Sequence, residues 1–325
     1  ICLMFCFIVL LASDSVHYIP NFPVSVVNHS LSLSLYANGS YQRMIGKSID
    51  CSVSQTSVSR FVREITDALN HPDVLTNFIK FPLTAEERAP IIARDERLGM
   101  PRVLGFIDGT LIRLTQLPHD VERQAFFCRK GYLALNCQVI CDSDLNIMNV
   151  DARWPGSAND RFIWNASAAR AVDEQAYWED RCWLLVCCLF LLQVTLATLQ
   201  HHGFMFLSLM LLLGLQSFFY TRLHCQCRNV VERCIGVLKS RFRILGCDRA
   251  INFKNAAYAG NIVNACCVLH NFCIRRGLPN PQPFYDNPND DFAPQEPEYL
   301  PLNVAMRGIY EMNYLINYVN RRREQ

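Results

Sequence analysis

Residues 102–114 (RVLGFIDGTLIRL) organise the rest of this chain. A mostly apolar run from Val103 to Ile107 leads directly into Asp108, and Gly109 follows. This pattern is typical of a short buried strand, with Asp108 at its end and Gly109 allowing the backbone to turn. Burying a lone carboxylate costs on the order of several kcal/mol unless a cation or donors compensate it. Asp108 is therefore either a turn aspartate or a site residue, and the downstream motifs favour the second interpretation.

The composition sets wide bounds on the class of protein. The 325 residues could form one large domain or two ordinary ones, and a net charge of +2 names no partner. Any nucleic-acid surface must come from local clustering of charge. Sixteen cysteines are too few for a disulfide scaffold, so we expect reduced thiols in an intracellular protein. The Cys and His residues at 224–227 and 266–270 lack the paired spacing of a structural zinc site.

The first hundred residues divide into an unassigned apolar leader, 1–35, and a helical region with its linker, 36–100. Residues 13–34 show no clear periodicity, so no structure is predicted there. In the helical region a short helix starts near Gln42, ends at Gly46, and is followed by a second helix capped by Ser52 or Ser54. The second helix has one apolar face and polar residues, including Arg60, near its start. The pair resembles a helix-turn-helix, with an ordinary helical hairpin as the alternative.

The middle of the chain alternates between strand and helix patterns. Residues 133–142 predict a strand with Leu135, Cys137, Val139 and Cys141 on one face, and 145–150 predict a returning strand. Trp154-Pro155 should break that ladder, after which Ser157 or Asn159 caps a helix containing Asp160. These elements predict an α/β domain with a mixed sheet flanked by helices, at 101–277.

A basic helix follows at 228–245. Between 228 and 254 there are seven basic and two acidic residues, and Lys239, Arg241 and Arg243 lie towards the end of the helix. This clustering predicts a phosphate-contacting surface. A second long helix is predicted at 255–275, and the acidic, proline-rich tail, 278–325, should be largely disordered.

A set of motifs in this chain resembles the DDE endonuclease domain of the PIF/Harbinger transposases and of the nucleases derived from them. The motifs occur in the family's order over residues 36–277. They are GFIDGT at 105–110, RKGY at 129–132, WPGSxxD at 154–160, VVERxxGxxKxRF at 230–242 and LHNF at 269–272. The front segment resembles the family's helix-turn-helix-like region.

The resemblance implies an RNase H-like core in which acidic residues converge on a divalent metal, Mg²⁺ or Mn²⁺. Asp108 and Glu232 match the family's first and third catalytic acids, and Asp160 matches an acidic position of its GSxxD motif. All three are expected to be catalytic residues and metal ligands. Arg60, Lys239, Arg241 and Arg243 are the expected nucleic-acid-binding residues. Two-metal sites of this kind activate water and stabilise the leaving oxygen.

The chain departs from the family at its second catalytic acid, which normally lies in a Gly-Asp-Ser-Gly-Tyr-Pro segment after a Trp-Leu-Leu strand. Trp183-Leu184-Leu185 is present, but 186–219 is an apolar segment without a charged residue. Codons for 193–204 can be chosen so that the neighbouring frame reads Gly-Asp-Ser-Gly-Tyr-Pro. Translation of a retained intron or a shifted frame is therefore the favoured explanation, and a transmembrane hairpin is the alternative.

These observations predict a divalent-metal-dependent DNA endonuclease that is impaired in this chain. We expect DNA as its substrate, a separate DNA-binding partner protein, and a location in the nucleus, with the cytoplasm as a second compartment. One alternative is a DNA-binding protein without catalysis. The other is a membrane or secreted protein, suggested by the apolar leader and by 186–219.

Overall fold

The computed structural model describes residues 26–39, 42–48, 53–97, 102–115, 121–180, 182–186, 218–246, 250–251 and 255–282. Residues 1–12, most of the apolar segment 186–219 and nearly all of the acidic tail lie outside these ranges. The predictions of a leader, of an aberrant segment and of a disordered tail therefore stay predictions.

A mixed sheet of four strands, β3-β2-β1-β4, forms the centre of the described chain. β1 pairs with β2, and β2 with β3, in antiparallel fashion, whereas β4 runs parallel to β1. The predicted α/β class with a mixed sheet flanked by helices is confirmed. The strands are β1 Val103–Arg113, β2 Ala134–Cys141, β3 Ile147–Pro155 and β4 Trp183–Val186.

Nine α-helices lie in the described part of the chain, five before the sheet and four after β3. A short 3₁₀ helix, Val121–Phe126, precedes β2, and another, Arg243–Leu245, follows α8. The helices are α1 Val26–Asn38, α2 Gln42–Ser48, α3 Gln55–Leu69, α4 Pro72–Phe78, α5 Ala85–Arg97, α6 Asp160–Ala166, α7 Ala168–Asp180, α8 Phe218–Arg241 and α9 Ala256–Arg275.

The two faces of the sheet bury different helices. On the face we call the α8 face, Phe106 and Ile112 of β1 and Val139 of β2 join one apolar cluster with α8 and α9. On the opposite face, the α6 face, Ile107 of β1 packs in a second cluster that includes Trp164 of α6. Successive side chains of a strand point to opposite faces, so alternate positions of β1 serve different layers.

The N-terminal helices belong to the same apolar cluster as the α8 face. The predicted apolar face of α3 is confirmed, since Val58, Val62, Ile65 and Leu69 are buried. Ser54 is the N-cap, and its hydroxyl accepts a hydrogen bond from Ser57 N at 3.1 Å. The buried contacts of α3 with the domain fit the helical-hairpin alternative, and a helix-turn-helix is not confirmed.

A helix occupies part of the stretch for which the sequence predicted no structure. α1 buries Leu31, Leu33, Leu35 and Tyr36, and the Tyr36 hydroxyl lies 2.7 Å from Thr66 Oγ1 of α3. Positions 31, 33, 35 and 36 do not share one side of a helix, so α1 is surrounded by protein. Residues 30–35 alternate Ser and Leu, and this period of two gives no 3.6-residue signal, which explains why the helix was missed.

Both strands that flank the candidate site are longer than predicted. β1 continues through Gly109 to Arg113, so Asp108 lies inside the strand and the predicted turn at Gly109 was wrong. β3 includes Trp154 and Pro155, which were expected to break the ladder. Pro155 is tolerated because β3 is an edge strand of the described sheet and Pro155 is its last residue.

The described cysteines behave as small buried apolar residues. Eight of them, including Cys137, Cys234 and Cys267, are buried free thiols. The histidine in the 266–270 spacing, His270, is also buried, and its Nε2 lies 2.8 Å from the carbonyl oxygen of Leu145. Within the described ranges, no helix is both long and apolar enough to cross a membrane.

Candidate active site

Asp108 is half-buried in the middle of β1, on the α8 face. Its chain neighbours Ile107 and Gly109 face the opposite side of the sheet. Its antiparallel partner Val139, which faces the same side as Asp108, lies in the α8-face cluster. Its Oδ1 accepts a hydrogen bond from the backbone N–H of Gly109 at 2.8 Å. The carboxylate is thus presented towards the layer that contains Glu232.

Glu232 is half-buried on α8, the helix that covers this face. Two polar contacts fix α8 against the sheet in addition to its apolar side chains. The Cys234 thiol donates to the carbonyl of Leu145 at 3.5 Å, and Lys239 Nζ donates to the carbonyl of Leu111 at 3.4 Å. The second contact is to β1 itself, three residues beyond Asp108. The structure therefore places the first and third acids of the predicted set in adjoining layers.

Asp160 lies on the other face of the sheet. It is in the first turn of α6, and its Oδ1 accepts a hydrogen bond from Asn136 Nδ2 at 2.9 Å. A methyl group at Gly109 would overlap this carboxylate, because its carbon would lie 2.7 Å from Asp160 Cγ. The absent side chain at position 109 points away from Asp108, so Asp160 packs on β1 from the α6 face. The prediction that Asp160 joins Asp108 and Glu232 as a metal ligand does not fit this placement.

The polar residue that holds Asp160, Asn136, was missed by the sequence reasoning. Asn136 donates from Nδ2 to the carbonyl of Ala158 at 2.8 Å as well as to Asp160. Asn159, one of the two predicted caps, is the N-cap of α6 and accepts from Phe162 N at 2.8 Å. A polar side chain at a buried position of a strand is the signal that could have identified Asn136.

The parallel strand β4 ends beside Asp108. Its last paired residues are Ile107 and Val186, in the register Phe106↔Leu185, Ile107↔Val186. One more residue of β4 in this register would lie next to Asp108, and in a parallel pair such neighbours point to the same face. The position after Val186 is the place that the family pattern gives to its second acid.

No group of three or more His, Cys, Asp or Glu side chains able to hold a metal ion occurs among the residues that the structure describes. Asp108 and Glu232 supply carboxylate oxygens, the ligand type that Mg²⁺ and Mn²⁺ prefer. Because Asp160 lies on the opposite face, Asp108 and Glu232 are the two predicted acids on the α8 side of the sheet. The donor chemistry of Asp108 and Glu232 fits such an ion.

Another acid on the α6 side, Asp173 of α7, is fully buried. Its Oδ1 accepts from the backbone N–H of Leu184 in β4 at 3.1 Å. Burial raises the pKa of Asp173 to about 7, an effect that this hydrogen bond partly offsets. The contact links α7 to β4, and so helps to set the strand that ends beside Asp108.

The predicted nucleic-acid contacts divide into buried and exposed residues. Lys239 and Arg241 are buried, and Arg241 donates to the carbonyl of Pro279 and to Asn280 Oδ1. Their positions do not fit a phosphate-contacting surface, because these long side chains satisfy main-chain carbonyls of neighbouring segments. Arg243 is exposed, and so is Arg60 on α3, which forms an ion pair with Glu64 at 3.8 Å. Whether Arg60 and Arg243 bind nucleic acid stays a prediction.

Comparison with known proteins identifies the family of this domain. The family model "DDE superfamily endonuclease" matches residues 107–271, which include Asp108, Asp160 and Glu232. The chain is 30% identical over 273 residues to human "Putative nuclease HARBI1", covering 82% of this chain and 73% of that protein. The rat and mouse proteins of the same name are each 32% identical over 250 residues, covering 76% of this chain and 66% of the relative.

No solved structure matches this chain. The family match spans the whole described sheet from Ile107 onward, together with α8 and most of α9. The chain therefore belongs to the DDE superfamily endonucleases and is a homologue of the Harbinger transposase-derived HARBI1 nucleases.

Proposed function

We propose that this protein derives from a DNA endonuclease that requires Mg²⁺ or Mn²⁺, and that its catalytic set is incomplete in the present sequence. The observation that carries the proposal is the register of β4 against β1. One more residue of β4 in this register would lie beside Asp108, on the face covered by α8. A carboxylate there would complete a set with Asp108 and Glu232 in an RNase H-like core.

The sequence at this position is Cys187, the second residue of the apolar segment. In the neighbouring reading frame the Gly-Asp-Ser-Gly-Tyr-Pro codons begin at position 193, so removal of the codons for 186–192, as in a spliced intron, would join Gly-Asp directly to Trp183-Leu184-Leu185. The Gly then takes the place of Val186 and the Asp takes the place of Cys187. The frame interpretation would thus place an acid at the position after Val186, which the sheet register extends to the side of Asp108.

In the restored site, the three carboxylates would be the metal ligands. Bound divalent ions would supply the activation of water and the stabilisation of the leaving oxygen in phosphodiester hydrolysis. The protein's part is positional. β1 holds Asp108 in a paired strand, β4 holds the restored acid beside it, and α8 holds Glu232 through its contacts to Leu111 and Leu145.

The test is to repair the chain and measure cleavage. The repaired protein carries Gly-Asp-Ser-Gly-Tyr-Pro after Leu185 in place of the apolar segment, and the chain as printed is the matched control. We expect the repaired protein to cut duplex DNA in Mg²⁺ and the printed chain to show no metal-dependent cutting. A folded repaired protein that leaves DNA intact in both Mg²⁺ and Mn²⁺ would contradict the proposal.

The origin of the apolar segment has its own test. Transcripts sequenced across the codons for 185–220 should include a form that continues from Leu185 into Gly-Asp-Ser-Gly-Tyr. If every transcript encodes 186–219, the frame interpretation is wrong and the segment is genuine protein.

A second candidate function is DNA binding without catalysis. The observation that favours it is the incomplete acid set in the described chain, combined with exposed Arg60 and Arg243. Binding of the printed chain to duplex DNA, with a steep loss as salt rises, would support it. A DNA substrate also leads us to propose a nuclear location and a separate DNA-binding partner, which imaging of the tagged protein and co-purification would examine.

A further inference from the structure

An exposed aromatic side chain stands two residues after Asp160. Phe162 of α6 is 53% exposed, which is unusual for a phenylalanine, and its ring meets Trp154 of β3 edge to face with centroids 5.1 Å apart. Trp154 pairs with Asn136, whose amide also holds Asp160. The two rings therefore lie on the α6 face, next to the acid that packs against Gly109.

The Trp154 ring is fixed by polar contacts. Its Nε1 donates to Asp151 Oδ2 at 3.1 Å, and the guanidinium of Arg153 lies 5.8 Å from its ring centroid. Arg153 also donates to both oxygens of Asp151, at 2.8 and 2.7 Å. A ring held in this way loses little conformational entropy when another planar group stacks on it or on its partner.

Basic residues stand at the same end of the sheet. The turn before β2 carries Arg129 and Lys130, both exposed, and Phe127 at its base is 45% exposed. The segment that leads into this turn touches the segment after Trp154, because Ser157 N donates to the carbonyl of Ala125 at 3.0 Å. Aromatic and cationic groups thus lie together at the end of the sheet where β2 begins and β3 ends.

We propose that the Trp154–Phe162 pair and the turn with Arg129 and Lys130 form a platform for an unpaired DNA strand on the α6 face of the sheet, opposite the face that carries Asp108. Bases would stack on Phe162, and the cations of the turn would contact the phosphates. Aromatic rings with a basic border bind single strands in this manner, because every base offers a flat face for stacking. The inference rests on the proposed function, and it adds that the protein binds locally unpaired DNA in preference to intact duplex.

The full-length chain can be tested by binding alone, which needs no catalysis. The probes are a blunt duplex and a forked duplex with 2-aminopurine at the first unpaired position. We expect the chain to bind the fork about ten-fold more tightly than the duplex, and its binding to quench the 2-aminopurine fluorescence. Phe162→Ala should remove the preference and the quenching, whereas Phe162→Trp should keep both.

Trp178 provides the matched control. It is 43% exposed on α7, towards the opposite end of the sheet where β4 begins beside Val103. Trp178→Ala should change neither binding nor quenching. Arg129→Gln with Lys130→Gln should weaken fork binding and reduce its dependence on salt.

Three results would overturn the platform. The first is an unchanged fork preference in a folded Phe162→Ala variant. The second is an equal loss of affinity for fork and duplex in that variant. The third is a loss of fork preference in Trp178→Ala as large as that in Phe162→Ala. Each of these leaves the wild-type chain able to bind DNA, so the proposed function would survive. A wild-type chain that binds neither probe at low salt would instead remove DNA as the ligand and overturn both proposals.

Discussion

Each face of the sheet has a carboxylate at the same point of β1, and the two carboxylates have different surroundings. On the α8 face, Asp108 lies beside the end of β4 and in the layer next to Glu232. On the α6 face, Asp160 is held by Asn136 and fills the space left by Gly109. The comparison teaches that an acid in a family motif need not be a ligand, because the face on which it lies decides what it can reach.

The largest expected effect is on DNA cleavage, which should distinguish the acid of the α8 face from the acid of the α6 face. In the repaired chain, Asp108→Asn should lower metal-dependent DNA cleavage by at least about a thousand-fold, because it removes a ligand while preserving shape. Asp160→Asn should leave cleavage measurable. Initial rates at saturating Mg²⁺ test both variants, and equal losses would put Asp160 in the catalytic set.

The next effect concerns pH and the buried acid of the α6 side. The folded pKa of Asp173 is about 7, above the usual value of 3.8, so folding favours its protonated form. That stabilising contribution is fully present below about pH 4 and is lost as the pH rises towards 7. Asp173→Asn keeps an acceptor for Leu184 N but cannot ionise.

We therefore expect the Asp173→Asn variant to become more stable relative to wild type between about pH 4 and 7, by on the order of a few kcal/mol. Urea unfolding at several pH values measures the difference. A difference that stays constant over this range would show that Asp173 does not titrate in the folded protein as proposed.

A smaller effect tests the contact between Gly109 and Asp160. Gly109→Ala should destabilise the fold by about 2 kcal/mol, because the new methyl overlaps the Asp160 carboxylate. Combining it with Asp160→Ala should cost less than the sum of the two single changes, since the overlap is then relieved. Additive free energies of unfolding would mean that the two residues do not share this space.

The smallest effect concerns Arg243, in the short 3₁₀ helix that follows α8. Arg243→Ala should weaken duplex binding a few-fold and lower the slope of log affinity against log salt by about one. Lys239→Met, a change of similar volume at a buried position, should leave that slope unchanged. A lower slope in the Lys239 variant would show that the buried lysine reaches phosphate after all.

Local patterns predicted much of the fold. The hairpin β2–β3, the long helix α9 and the capped helix α3 all follow from apolar period and from Ser or Asn caps, which are encoded within about fifteen residues. α1 was missed because residues 30–35 alternate Ser and Leu, a period of two that gives no 3.6-residue signal. The family resemblance, carried by the motifs around Asp108 and Glu232, was confirmed.

The placement of the site residues could not be predicted in the same way. The burial of Arg241 depends on Pro279 and Asn280, which are far along the chain, and the face of Asp160 depends on a glycine in another element. A local charge count treats each cation as if it were on the surface. Only tertiary contacts show which cations and acids are used inside the protein.

The dipeptide Asp108-Gly109 joins two independent requirements in one motif. Asp108 lies on the α8 face, whereas Gly109 makes room for Asp160 on the other side. Among relatives of this chain, positions 108 and 109 should therefore co-vary with different residues. Where a relative replaces the glycine by a larger residue, the acid of the GSxxD motif should change with it. The preceding aspartate should instead be kept wherever the relative keeps its nuclease activity.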